Sequence, residues 1–218
     1  MFHVSFLPMF ITLEGSEGSG KTSQIAPLAE ALCLAGYSVL LTREPGGTPI
    51  GDQIREVLAA FKNTDMEPRT EILLFQASRA QLVAQVIRPH LKSGGVVLCD
   101  RYADSTLAYQ GYGYKLELGP LRALIDFATG GLKPDLTVLL DLDVDEGLRR
   151  RAQSGEWNRL DAFQLEFYQR VRQGYLELAQ AEPERWVIVD AALPFAAVAE
   201  AIRNSVFERL QSGRKKAA

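Results

Sequence analysis

The stretch Gly15-Ser16-Glu17-Gly18-Ser19-Gly20-Lys21-Thr22 fits the pattern G-x-x-x-x-G-K-[ST] in full. It also has the context that the pattern needs. A short apolar run, Phe10-Ile11-Thr12-Leu13, precedes it, and a helical pattern from Lys21 to Ala35 follows and stops at Gly36. The residue types follow from the work of holding an anion. Gly15, Gly18 and Gly20 let the backbone bend so that N–H groups point inward. The start of the helix adds its positive dipole end. Lys21 brings an ammonium group to the β- and γ-phosphates of a nucleoside triphosphate, and Thr22 offers a hydroxyl to Mg²⁺.

The rest of the chain predicts an α/β fold around this turn. Val39 to Thr42, Val96 to Cys99, Leu136 to Leu140 and Trp186 to Val189 are apolar runs without polar alternation, as expected of strands buried on both faces. Helical patterns fill the gaps: Thr70 to Lys92 (interrupted late by Pro89), Asp145 to Gln153, Ala162 to Ala181 and Phe195 to Leu210. Alternating strands and helices imply a five-stranded parallel sheet flanked by helices, the three-layer P-loop NTPase fold, with ligands outside the carboxyl ends of the strands. Glu14, Arg43, Asp100 and Asp141 close four of the runs. No repeat or linker divides the 218 residues, so one domain over 1–218 is expected.

Composition removes several classes. A net charge of −3 gives no general basic field for nucleic acid. No apolar run approaches the ~20 residues of a membrane span, and Met1 to Pro8 lacks the pattern of a signal peptide. Met9 is an alternative start. Cys33 and Cys99 read as reduced, buried thiols of a cytoplasmic protein. The tail Arg214-Lys215-Lys216 reads as a frayed, solvated end.

Three further stretches fall where an acceptor should bind: Thr42-Arg43-Glu44-Pro45-Gly46-Gly47-Thr48, Phe75-Gln76-Ala77-Ser78-Arg79, and Asp100-Arg101-Tyr102 through Ser105-Thr106 to Tyr109-Gln110-Gly111. With the phosphate loop ahead of them, in this order, they make the chain resemble thymidylate kinases from Phe10 to about Asp190. The resemblance implies a nucleoside monophosphate kinase-like fold with a short lid, transfer of a phosphoryl group from ATP·Mg²⁺ to dTMP in dTTP synthesis, and a homodimer. It implies that Phe75 stacks on thymine and Arg79 binds the base and the acceptor phosphate. Ser105 and Thr106 would read the base edge, Tyr109 would press on the deoxyribose, and Gln110 would close the pocket. Arg101 would clamp the acceptor phosphate, with Arg43 and Arg55 as further acceptor-side arginines. Asp100 would stand near Mg²⁺, and Glu17 would reach toward the sugar hydroxyl.

The lid, about residues 149–161, carries Arg149-Arg150-Arg151, Gly155-Glu156 and Arg159. Neighbouring residues on a helix are ~100° apart, so three adjacent arginines cannot all face a nucleotide. Relatives whose phosphate loop lacks arginine carry catalytic arginines here, which fits Glu17 in this loop; Ser154 stands where arginine is common. Arg150 and Arg159 are expected at the transferred phosphoryl group, with Arg151 as substitute. A phosphate acceptor is already anionic, so no strong base is needed, in keeping with only two histidines, His3 and His90. The alternatives are a deoxynucleoside kinase, another nucleoside monophosphate kinase, or a nucleotide switch. The arginine-rich acceptor side counts against the first, because a nucleoside offers no phosphate to clamp.

Overall fold

The computed structural model describes residues 7–153, 159–161 and 163–217. Five parallel strands form one sheet in the order β2-β3-β1-β4-β5: β1 Met9–Glu14, β2 Val39–Arg43, β3 Val96–Asp100, β4 Leu136–Asp141 and β5 Trp186–Asp190. The order reverses at β1, which pairs with β3 on one side and β4 on the other. Such a reversal leaves a crevice above the carboxyl end of the strand, and β1 ends directly in the phosphate loop.

Strand residues alternate faces, and the central strands β1, β3 and β4 are covered on both, whereas the edge strands β2 and β5, expected to be buried on both faces, leave Leu41 and Ile188 exposed. Ile11 and Leu13 pack with Ile25, Leu28 and Leu32 of α1 (Lys21–Leu34) and with Val198, Ile202 and Val206 of α9 (Phe195–Ala217). Phe10, Val97 and Cys99 face the opposite layer, against Leu82, Val83 and Ile87. Those three belong to one helical run, α3 (Pro68–Leu82), a π-helical turn (Val83–Ile87) and α4 (Arg88–Lys92). Pro89 therefore does not end the run; it sits directly after the π-helical turn, at the start of α4. Leu139 meets Tyr168, Val171 and Tyr175 of α8 (Leu165–Ala181).

Three elements complete the frame. Helix α2 (Pro49–Ala59) starts at Thr48, whose hydroxyl accepts from the Gly51 N–H at 3.0 Å, with Pro49 in the first turn. The segment after β3 forms α5 (Ala103–Thr106) and a second π-helical turn, Leu107–Gly113. Helix α6 (Leu118–Thr129) was absent from the expected helices, because Gly119 and Pro120 disguise its start. Helix α7 (Val144–Gln153) leads into the lid. Two expectations fail here. Cys33 is exposed on α1, since the buried stripe of that helix runs through Ile25, Leu28 and Leu32. The basic tail continues α9 to Ala217 instead of fraying. Ser154, Gly155 and Glu156 of the expected lid lie outside the described residues.

Candidate active site

Main-chain bonds join the ends of three strands. Arg101 N–H donates to Leu13 O (3.0 Å) and Glu44 N–H to Asp100 O (2.9 Å). This knot brings the phosphate loop, the Thr42–Thr48 stretch and the Asp100–Gly111 stretch around one cleft of about 530 Å³, a size suited to small-molecule ligands.

On the donor side, α1 begins at Gly20 in the left-handed region (φ 90°), with no side-chain cap on its first turn. Uncapped N–H groups at a helix start suit an anion. Lys21 Nζ donates to Gly15 O (2.9 Å), Ser16 O (2.8 Å) and Ser19 Oγ (3.2 Å). Burial first, then the charge of Arg101, brings its ammonium down to about 8, which leaves it protonated at neutral pH. Thr22 Oγ1 donates to Asp100 Oδ2 at 2.6 Å. A hydroxyl and a carboxylate on the open rim are oxygen ligands of the kind Mg²⁺ takes. No group of three or more acidic, His or Cys side chains could hold a metal among the described residues, so these two fit an ion that arrives with phosphate oxygens.

Behind the cradle, Gly18 lies against α7. A Cβ on Gly18 would collide with the Gly147 carbonyl, and one on Gly147 would come within 2.5 Å of Glu17 O. Glycine inside a helix weakens it by roughly 0.5–1 kcal/mol; this close approach explains Gly147.

The acceptor side is held by side chains. Arg79 is 1% exposed. Its Nη2 lies 2.7 Å from Glu44 Oε2, its Nη1 donates to Gln76 Oε1 (2.9 Å) and Thr106 Oγ1 (3.0 Å), and Nη2 donates to Tyr102 O (3.1 Å). Phe75 and Gln110 also line the cleft. Arg101 adopts φ 67°, an uncommon conformation for a residue with a Cβ. Its Nη2 pairs with Glu17 Oε1 (3.1 Å), and Nη1 donates to Gly15 O (3.1 Å) and Ser105 Oγ (3.3 Å). The Tyr109 hydroxyl donates to Glu17 at 2.7 Å, and the Arg101 guanidinium lies 5.0 Å from the Tyr109 ring centroid. Arg55 donates to Pro45 O (3.1 Å), and Arg43 makes an exposed 3.3 Å pair with Asp52. Burial first, then the charge of Arg43, pushes the Arg55 pKa down; an anion between the two would relieve that crowding.

The structure also shows residues that the sequence reading did not place in the site. Glu14, 0% exposed, accepts from Tyr102 N–H (2.7 Å), Ser105 Oγ (2.6 Å) and Tyr175 Oη (2.8 Å). Burial first, then the nearby Asp104 charge, raises its carboxyl from 4.5 to about 7. A charged residue closing an otherwise apolar strand was the available signal. Arg150 and Arg151 line the cleft; Arg150 donates to Glu146 Oε1 (2.7 Å) and Ala191 O (3.0 Å). Arg159, expected at the transferred phosphoryl group, is held elsewhere. Its Nη2 pairs with Glu71 Oε2 at 2.7 Å and its Nε donates to Leu58 O at 2.7 Å, because a buried guanidinium needs a buried carboxylate.

The thymidylate kinase family profile matches residues 13–202. The chain belongs to the thymidylate kinase family. Among the curated thymidylate kinases, that of Thermomicrobium roseum is 55% identical over 207 residues, covering 94% of this chain and 98% of the relative. That of Deinococcus radiodurans is 53% identical over 201 residues, covering 92% and 97%. The crystal structure of thymidylate kinase from Ehrlichia chaffeensis superimposes with a TM-score of 0.73 at 36% identity, covering 90% of this chain and 97% of that one. As a member of the thymidylate kinase family the chain is an enzyme of ATP-dependent dTMP phosphorylation, and the deoxynucleoside kinase alternative is not favoured.

Proposed function

We propose that ATP·Mg²⁺ sits on the loop Gly15–Thr22 and dTMP against the Phe75–Arg79–Arg101 wall, with phosphoryl transfer at the mouth between them. The observation that carries this reading is Arg101, whose guanidinium touches the phosphate loop at Gly15 O and Glu17 and the acceptor side at Ser105. A cation shared by two anion sites suits a reaction that moves a phosphoryl group between them.

Lys21 binds the β- and γ-phosphates, exchanging its loop carbonyls for phosphate oxygens. Thr22 and Asp100 would hold Mg²⁺, which would supply charge neutralisation on the phosphate oxygens. Arg79, Arg101, Arg43 and Arg55 orient the acceptor phosphate; the planar guanidinium suits two parallel bonds to one phosphate. Phe75 stacks on the base, Thr106 and Gln110 meet its edge, and Tyr109 with Glu17 packs on the sugar. The acceptor oxygen is already anionic, so alignment and charge do the work without a base. We assign the lid contact to Arg150 or Arg151. We also infer one domain over 1–218 with a lid near 149–161, and cytoplasmic residence; no described helix is long and apolar enough to cross a membrane. A homodimer through α2 and α3 is supported by exposed Ile50, Val57 and Leu73 on these paired helices; sedimentation showing only a monomer at working concentration would end it.

The test is an ADP-release assay over a panel of nucleoside monophosphates and thymidine. Turnover is expected with dTMP, and none with thymidine; thymidine turnover at the same rate would remove the acceptor-phosphate role of the arginines.

A further inference from the structure

Arg159 stands in the short turn Arg159–Asp161 where the chain returns from the lid, yet it is only 8% exposed. Its partner Glu71, on α3, is 1% exposed and lines the cleft. One Glu71 oxygen accepts from Arg159 (2.7 Å). The other accepts from the Gln110 amide (2.9 Å) and the Tyr114 hydroxyl (3.1 Å). Burial first, then the charge of Glu71, pushes the Tyr114 pKa well up, so that hydroxyl keeps its proton and donates. A further Arg159 bond, from Nε to Leu58 O, ties in the end of α2. One buried carboxylate thus joins the lid's return, α2, α3 and the π-helical turn that carries Gln110.

A carboxylate can only accept, so the group Gln110 turns toward Glu71 is its NH₂. The amide's carbonyl oxygen is then the group left for a base. An oxygen there accepts from a base N–H and repels a ring nitrogen with a lone pair.

We propose that Glu71 and Arg159 are positioning residues that lock Gln110 in one amide orientation and so set acceptor-base specificity. Arg159 then acts on monophosphate binding and not on the transferred phosphoryl group. The proposal rests on the acceptor-pocket reading above. Its chemistry discriminates a base with a ring N–H, as in dTMP, from one with a bare ring nitrogen, as in dCMP.

The test is steady-state kinetics of the full-length enzyme with dTMP and dCMP. Wild-type turnover of dTMP tests the acceptor-pocket reading by itself. In Glu71→Gln the new side chain can donate as well as accept, so Gln110 is free to turn over. The expected result is a roughly tenfold rise in KM for dTMP and a roughly tenfold loss of preference over dCMP, the scale of one hydrogen bond. KM for ATP should hold, and kcat should change less than threefold. Arg159→Lys, which keeps the charge, should recover part of the preference lost in Arg159→Leu. On a Gln110→Ala background, Glu71→Gln should add nothing to KM for dTMP. Should Arg159→Leu not fold, the near-isosteric Glu71→Gln decides alone. An unchanged dTMP preference in Glu71→Gln overturns the proposal, and so does a fall in kcat of Arg159→Lys with KM for dTMP unmoved.

Discussion

In the phosphate cradle, Lys21 is satisfied within its own loop, by two carbonyls and a hydroxyl two to six residues back. On the acceptor wall, Arg79 draws on Glu44, Tyr102 and Thr106, which lie 35, 23 and 27 residues away. The cradle is a local structure whose lysine bonds stay within one loop. The wall is a set of distant side chains that hold one another in place, so function and stability share the same atoms.

The largest effect is expected where the two properties separate most cleanly. Lys21→Ala should lower kcat by roughly 10³-fold, as for removal of a preorganised charge contact, while the unfolding midpoint stays near that of the wild type. A large stability loss would show that the cradle is not self-supporting. Arg79→Ala should fail in both respects. KM for dTMP should rise by roughly 10²-fold, as for loss of a charged, hydrogen-bonded partner, with KM for ATP little changed. Stability should drop by about 3–5 kcal/mol, because Glu44 is left buried and unpaired. Denaturant titration of Arg79→Ala beside an Arg79→Ala/Glu44→Gln double variant checks this; the double variant should regain part of the loss.

Glu14 stands between the two regions and gives a pH signature. Its folded pKa lies above its unfolded one, so the folded protein binds the extra proton between about 4.5 and about 7. Stability from this residue is whole below that window, is lost as pH rises through it, and stays lost above. The full change is on the order of 3 kcal/mol. Glu14→Gln should flatten the fall between pH 5 and pH 8 in denaturant midpoints; an equal fall in wild type and variant would place the proton elsewhere. The smallest effect is expected at the rim. Asp100→Asn should raise the Mg²⁺ concentration for half-maximal rate by roughly tenfold or more, the usual scale for residues that orient a metal site, with dTMP affinity unchanged.

The same contrast explains what could be read from sequence. The phosphate loop is contiguous, so eight residues carried its fold and its chemistry together. The three central strands were legible because strands buried on both faces are apolar throughout; β2 and β5 were legible as apolar runs although, at the sheet's edges, they are only partly buried. Glu71 was not, because a glutamate on an amphipathic helix gives no sign of a partner 88 residues away. For the same reason Arg159 was expected beside the phosphates: arginines cluster in that segment, and only tertiary packing shows which one is buried. Cys33 was misjudged because its apolar neighbours in the chain occupy other faces of the helix. Helix α6 hid behind residues that usually break helices.

The back-to-back contact of Gly18 and Gly147 makes the lid arm a lever with its fulcrum on the donor loop. Arg150 and Arg151 follow the pivot by three and four residues, hence by about 4.5 and 6 Å of helical rise. The helix is thereby propped on the donor loop one turn ahead of these arginines, so one turn of helix sets where they stand over the cleft. A methyl group at either glycine would shim the fulcrum and lift both cations together.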